Sequence, residues 1–74
     1  MEFLWDRNNT EHIRSHGVSQ ALVEEVFRSG VDNMRPSRTR HRYVIEAFVE
    51  GQNYRLICDI SAAETIYPVT CFHL

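Results

Sequence analysis

The residues best suited to chemistry are arginines and histidines. All eight basic residues of this 74-residue chain are arginines, and four of them, Arg35, Arg38, Arg40 and Arg42, fall within eight positions, with His41 beside the last. A guanidinium is a planar fork that grips phosphate or carboxylate through parallel hydrogen bonds, so the stretch suits an RNA backbone and equally an acidic protein partner. Cleavage of RNA needs no cofactor: a base takes the 2′-hydroxyl proton, cations stabilise the crowded phosphate, and an acid protonates the leaving 5′-oxygen. Arginine suits the middle role, which makes Arg35, Arg38 and Arg40 candidate RNA-binding residues. Histidine titrates near neutrality and suits the other two roles, and His41 and His73 are the candidates outside the helices. The plainer alternative is that both are surface or strand-end histidines without a role.

Other chemistries find less support. His12 and His16 lie four apart and share a helix face, a spacing that lets two imidazoles meet one metal. The zinc-protease pattern, however, needs a glutamate after the first histidine, and Ile13 stands there. Cys71 and His73 would add ligands only if the helix crossed that strand end. Without such a crossing, His12 packs at the helix–sheet boundary and His16 supports the helix C-terminus. Nothing marks a nucleophilic triad, and Cys58 falls mid-strand on the apolar face, where burial leaves a thiol inert. Gly17, Gly30 and Gly51 are each assigned to a cap or turn, which leaves no glycine-rich phosphate loop. The reading therefore calls for no metal and no cofactor.

The elements that must position these groups follow from periodicity. A hydrophobic content of 43% and a charged content of 24% describe an ordinary globular chain, and the length suits one domain over residues 1–74. No run approaches the roughly 18 apolar residues of a membrane span, and the opening residues lack the order of a signal peptide, so a cytoplasmic protein is expected. Cys58 and Cys71 are expected as free, buried thiols. Asp6 caps a short helix running to about His16, which Gly17 ends in the left-handed conformation. Ser19 caps a second helix whose Leu22, Val23, Val26 and Phe27 form an apolar stripe opposite Glu24, Glu25 and Arg28, with Gly30 closing it.

Residues 31–39 read as a loop or a ragged edge strand, because Pro36 removes a ladder donor. Tyr43, Ile45, Ala47 and Val49 then alternate with Arg42, Val44, Glu46 and Phe48 in a strand. A type II′ hairpin with Gly51 and Gln52 at its tip sets Val49 opposite Tyr54, Ala47 opposite Leu56, Ile45 opposite Cys58 and Tyr43 opposite Ile60. A second tip at Ala62 and Ala63 sets Ile60 opposite Thr65, Cys58 opposite Tyr67 and Leu56 opposite Val69. The helices cover that face. The opposite face carries Arg42, Val44, Glu46, Phe48, Arg55, Ile57, Asp59, Ile66, Pro68 and Thr70, half of it polar. The expected class is α+β, with two N-terminal helices packed on one face of an antiparallel sheet of three to four strands.

The opening Phe3-Leu4-Trp5-Asp6, then Asn9, His12-Ile13, His16-Gly17-Val18-Ser19 and Glu24-Glu25-Val26-Phe27, resembles the start of the BrnT-type toxins. Arg42-Tyr43, the Gly51 turn, Arg55-Leu56 and Tyr67-Pro68-Val69-Thr70 look like that family's strands, so the resemblance covers nearly the whole chain. It implies a RelE-like ribonuclease fold and a cytoplasmic toxin of a toxin–antitoxin pair, which cleaves RNA without metal and arrests translation. It also implies a cognate, typically DNA-binding antitoxin as partner. By matching position, Arg42 and Arg55 are the candidate active-site cations, for phosphate binding and transition-state charge stabilisation. Their alternative role is pairing with Glu46 or Asp59 across the sheet, Arg55 lying diagonal to Glu46 in the register above.

Family members usually continue the Tyr-Pro-Val-Thr strand with Ala-Arg and a basic segment, where this chain has Cys71-Phe72-His73-Leu74. His73 would stand in for the missing arginine. Net charge is −2 and lysine is absent, although neutralising phosphates is the main source of nucleic-acid affinity. A second class therefore stands beside the nuclease: a domain that keeps the fold without catalysis and serves as a protein-interaction or regulatory module. Val44, Phe48, Ile57 and Ile66 on the exposed face also make a homodimer or an antitoxin-covered complex an expected state.

Overall fold

The computed structural model describes residues 1–74. In chain order it contains β1 (Glu2–Phe3), α1 (Arg7–Ser15), α2 (Gln20–Gly30), a single 3₁₀ turn (Val31–Asn33), β2 (Arg35–Pro36), β3 (Arg42–Val49), β4 (Gln52–Ile60) and β5 (Thr65–His73). The strands form one sheet in the order β1-β5-β4-β3-β2. The class is α+β as expected. The sheet, however, has five strands and is mixed, because β1 runs parallel to β5 while the other pairings are antiparallel. A two-residue strand is too short to show a period, so β1 leaves no trace in the sequence.

The helix termini follow local chemistry. The Asp6 carboxylate accepts the Asn9 N–H at 2.9 Å, and the Asn9 side-chain oxygen accepts the Asp6 N–H at 2.9 Å, a reciprocal cap. Gly17 ends α1 at φ 77°, its N–H donating to the Arg14 carbonyl at 2.8 Å. The Ser19 hydroxyl accepts the Leu22 N–H and starts α2. α2 ends at Gly30 as expected, without a left-handed residue, and the chain runs on into the 3₁₀ turn. That glycine is required by packing: a Cβ there would lie 2.5 Å from the Glu46 carbonyl oxygen and 2.8 Å from Ile45 Cγ2. α2 thus rests directly on the β3 backbone.

The hairpin between β3 and β4 turns on Glu50 (φ 51°) and Gly51 (φ 81°), both left-handed, which makes it type I′ and not II′. Val49 consequently faces Gln52, Ala47 faces Tyr54, Ile45 faces Leu56 and Tyr43 faces Cys58. This register differs from the expected one by two residues. Because side chains alternate with period two, an even shift leaves every apolar member on the face foreseen for it.

The pairing of β5 is the larger correction. Ile60 faces Ile66 and Cys58 faces Pro68, one residue off the expected register, and a break between Ile57 and Cys58 leaves Val69 as the extra residue of a bulge. The odd shift exchanges faces before the bulge, so Ile66 and Pro68 turn into the core while Tyr67 turns out of it; the extra residue at Val69 restores parity, and Thr70 stays on the open face and Cys71 in the core as expected. Pro68 sits beside the bulge, where a missing ladder donor is tolerated.

One cluster forms the core. Ile13, Val18, Val23, Val26 and Phe27 of the helical layer bury against Ile45, Val49, Tyr54, Leu56, Cys58, Ile66 and Cys71 of the sheet. Both cysteines are free and buried, and desolvation pushes the Cys58 thiol up to about 12 and the Cys71 thiol to about 11. Beyond the short β1, the outer edge of β5 is covered by α1. The amide of Asn9, only 3% exposed, donates to the Leu4 carbonyl at 3.1 Å and the Pro68 carbonyl at 3.0 Å. That amide satisfies edge groups which would otherwise be buried and unpaired. No helix is long and apolar enough to cross a membrane.

Candidate functional site

The face of the sheet away from the helices is built in rows. One row runs Arg42–Asp59–Tyr67, the next Val44–Ile57–Thr70, and the next Glu46–Arg55–Phe72, with Phe48 beyond them 67% exposed. Arg42 grips Asp59 with both prongs, Nε to Oδ1 at 2.8 Å and Nη2 to Oδ2 at 3.1 Å. This carboxylate raises the Arg42 pKa further above its ordinary value. Arg55 donates through Nε to Glu46 Oε2 at 2.6 Å, and Arg35 reaches the same oxygen at 3.4 Å. Arg55 first, then Arg35, holds the Glu46 carboxyl below its usual range. The pairing alternative for Arg42 and Arg55 is thus the geometry found, with Arg55 directly opposite Glu46 and not diagonal to it. The side chains stay 33% and 38% exposed, so the pairs are solvent-screened and worth little as stabilisers. The Arg42 fork uses Nε and Nη2 and leaves Nη1 outside the pair.

At the β3 start, an open cleft of about 380 Å³ gathers Arg40, His41, Asp59 and Tyr67 around an apolar side of Leu4 and Ile60. His41 is placed by its backbone: it adopts φ 64°, and its carbonyl accepts the Ile60 N–H at 2.9 Å. A non-glycine residue in the left-handed region is held there by its surroundings at some cost. The preceding loop is folded on Ser37, whose N–H donates to the Arg42 carbonyl and whose hydroxyl accepts the Thr39 N–H. Arg38 and Arg40 project from this loop, exposed and without an ion-pair partner.

Tyr67 donates its hydroxyl proton to Asp6 Oδ2 at 2.9 Å. Asp6 is lowered first by the Asn9 N–H and then by Tyr67, while the same hydrogen bond raises the Tyr67 hydroxyl. The carboxylate that caps α1 therefore also holds the tyrosine of the cleft.

The structure does not bring His41 and His73 together. His41 adjoins Ile60 at one end of β4, whereas His73 faces Tyr54 near the other end, with ring centroids 6.5 Å apart. Six residues of strand separate the two points, roughly 20 Å, so one phosphate cannot meet both histidines. Arg42, beside Asp59, and Arg55 lie four residues apart along β4, roughly 13 Å.

His12 and His16 do meet edge-on, with centroids 5.0 Å apart, and His12 Nε2 contacts the Thr70 hydroxyl at 3.1 Å. Cys71 is sealed in the core, and nowhere do three or more His, Cys, Asp or Glu side chains form a metal-holding group. Sequence reasoning missed Asp59 and Tyr67 as members of the cleft, and Asp6 as the carboxylate that holds Tyr67. Asp6 and Tyr67 stand 61 residues apart and no local signal links them; Tyr67 was assigned to the core by the one-residue register difference. No family model, curated protein or solved structure matches the chain.

Proposed function

We propose that this domain is the RNA-cleaving toxin half of a toxin–antitoxin pair, a metal-independent endoribonuclease whose site is the cleft at the β3 start. The observation that carries the reading is the convergence there of an exposed histidine, an unpaired arginine and a tyrosine hydroxyl. In this mechanism His41 takes the 2′-hydroxyl proton while Arg40 and the free Nη1 side of Arg42 hold the phosphate. The Tyr67 hydroxyl proton is committed to Asp6, so its oxygen faces the cleft as an acceptor only, and the leaving 5′-oxygen takes back the proton from the His41 imidazolium formed in the first step. Arg38 and Arg35 extend the contact along the strand of RNA, and Arg55 engages a neighbouring phosphate. His73 is left out of the chemistry by its distance. The resemblance to BrnT-type toxins supports the reading and supplies the expected partner, a DNA-binding antitoxin acting in the cytoplasm.

A second reading, a RelE-like protein-interaction module without catalysis, is favoured by the commitment of Arg42 and Arg55 to carboxylates and by the exposed Phe48 on a half-apolar face. RNA cleavage by the purified chain, with and without a chelator and with and without ribosomes, separates the two. Cleavage that survives chelation and collapses in folded His41→Ala and Arg40→Ala variants supports the nuclease. Its absence in folded wild-type protein supports the interaction module.

A further inference from the structure

On the helical side, away from the sheet face, a second cleft of about 340 Å³ opens where α1 turns into α2. Its apolar lining is Trp5, Ile13 and Val18, and its polar lining is Thr10, Arg14, Ser19 and Gln20, together with the Gly17 turn. The chemistry of this lining is one-sided. No acidic residue contributes to it, although the chain holds ten acids. Arg14 is exposed and makes no ion pair or side-chain hydrogen bond. The last turn of α1 favours a cation through the helix dipole, which explains the residue type but leaves the guanidinium unoccupied.

The rest of the lining is already organised. Gln20 donates its amide N–H to the Thr10 hydroxyl at 2.9 Å, which spends a donor and leaves the Gln20 side-chain oxygen as acceptor. Trp5 is anchored by its indole N–H on Glu24 at 3.0 Å, so its ring is fixed and that carboxylate is occupied. A fixed indole, two buried aliphatic side chains and one free guanidinium amount to an apolar pocket with a single cationic anchor. The volume lies at the small end of ligand sites, enough for one ring or branched side chain.

We propose that this cleft binds a small carboxylate with an apolar, aromatic body, the ring lying against Trp5, Ile13 and Val18 and the carboxylate taking the Arg14 fork. The charge complementarity is specific in sign: a neutral analogue loses the charge-assisted bonds, and a cation meets Arg14 directly. This inference is independent of the nuclease reading, which concerns the opposite side of the sheet.

Trp5 is the only tryptophan, so its fluorescence reports this cleft without a label. The folded chain would be titrated with 3-phenylpropionate and, in parallel, with 3-phenylpropanamide, and the methyl resonances of Ile13 and Val18 followed by NMR. The expected result is saturable binding of the acid with a dissociation constant on the order of 1 mM, as befits so small a ligand. The amide should bind about tenfold more weakly, and Arg14→Gln should remove that preference while Arg14→Lys keeps part of it. Since Arg14 has no partner in the fold, circular dichroism and the melting midpoint of the variants should match wild type. The proposal is overturned by an absence of saturable binding, by equal affinity for acid and amide, or by acid binding undiminished in a folded Arg14→Gln protein.

Discussion

Replacing Gly30 by alanine tests the closest helix–sheet contact in the molecule. The new Cβ would stand 2.5 Å from the Glu46 carbonyl oxygen, and that atom belongs to a strand backbone that cannot rotate away. Relief to ordinary van der Waals contact near 3.4 Å requires α2 and β3 to separate by roughly 0.9 Å. A gap of that size forfeits a quarter to a half of the dispersion at contacts it opens, about Val23, Val26 and Phe27, and overpacking of this kind typically costs about 1–3 kcal/mol. Alanine returns at most about 1 kcal/mol in helix propensity, less at the last residue of a helix. The net expectation is a loss of about 1–2 kcal/mol.

Urea denaturation measures it. With a slope near 1 kcal/mol/M for a domain this small, the midpoint should fall by about 1–2 M with the slope unchanged. Gly17→Ala is the control of different origin, since its φ is 77° and nothing lies within 4 Å of the new Cβ; its cost of about 1–2 kcal/mol comes from left-handed backbone alone. A neutral or stabilising Gly30→Ala would refute the close approach, and with it the seating of α2 on β3.

Three further outcomes are expected. Leu56→Ala or Ile45→Ala, at side chains with no exposed surface, should cost about 2–5 kcal/mol through lost burial and a cavity, and an unchanged melting midpoint would mean the buried face is misassigned. Asp6 and Glu46 are both held below their ordinary values of 3.8 and 4.5, so the stability they contribute is present above those values and lost as pH falls through the lower folded pKa values; Asp6→Asn should flatten the acid limb of a melting-point profile below about pH 4. Cys58 and Cys71, buried and with thiols raised to about 12 and about 11, should resist iodoacetamide at pH 8 in the native protein and react promptly in urea.

The arginine pairs alter how the sheet face meets a polyanion. Two of the three arginines on the face are directed at Glu46 and one at Asp59, so the face presents guanidinium edges whose charge is largely matched. The unmatched cations, Arg38 and Arg40, come from the loop before β3. Phosphate affinity on this side therefore depends on the loop more than on the strands.

The sequence by itself determined what near neighbours control. Asp6, Ser19 and Gly17 mark helix ends because a cap needs only the next three or four residues, and the helices start and stop there. The alternation through β3 and β4 selected the buried face, and that assignment survived a two-residue change of register because parity was preserved. Whatever depended on meetings between distant segments was decided by the tertiary structure. The β5 register is fixed by which residue fills the core, and seating Ile66 there in place of Thr65 turned Tyr67 outward to Asp6, sixty-one positions away. The parallel β1, the choice of Asp59 for Arg42 and Glu46 for Arg55 between the two carboxylates foreseen, and the separation of His41 from His73 are likewise products of packing, because side-chain period fixes a face but not the strand position at which two faces meet.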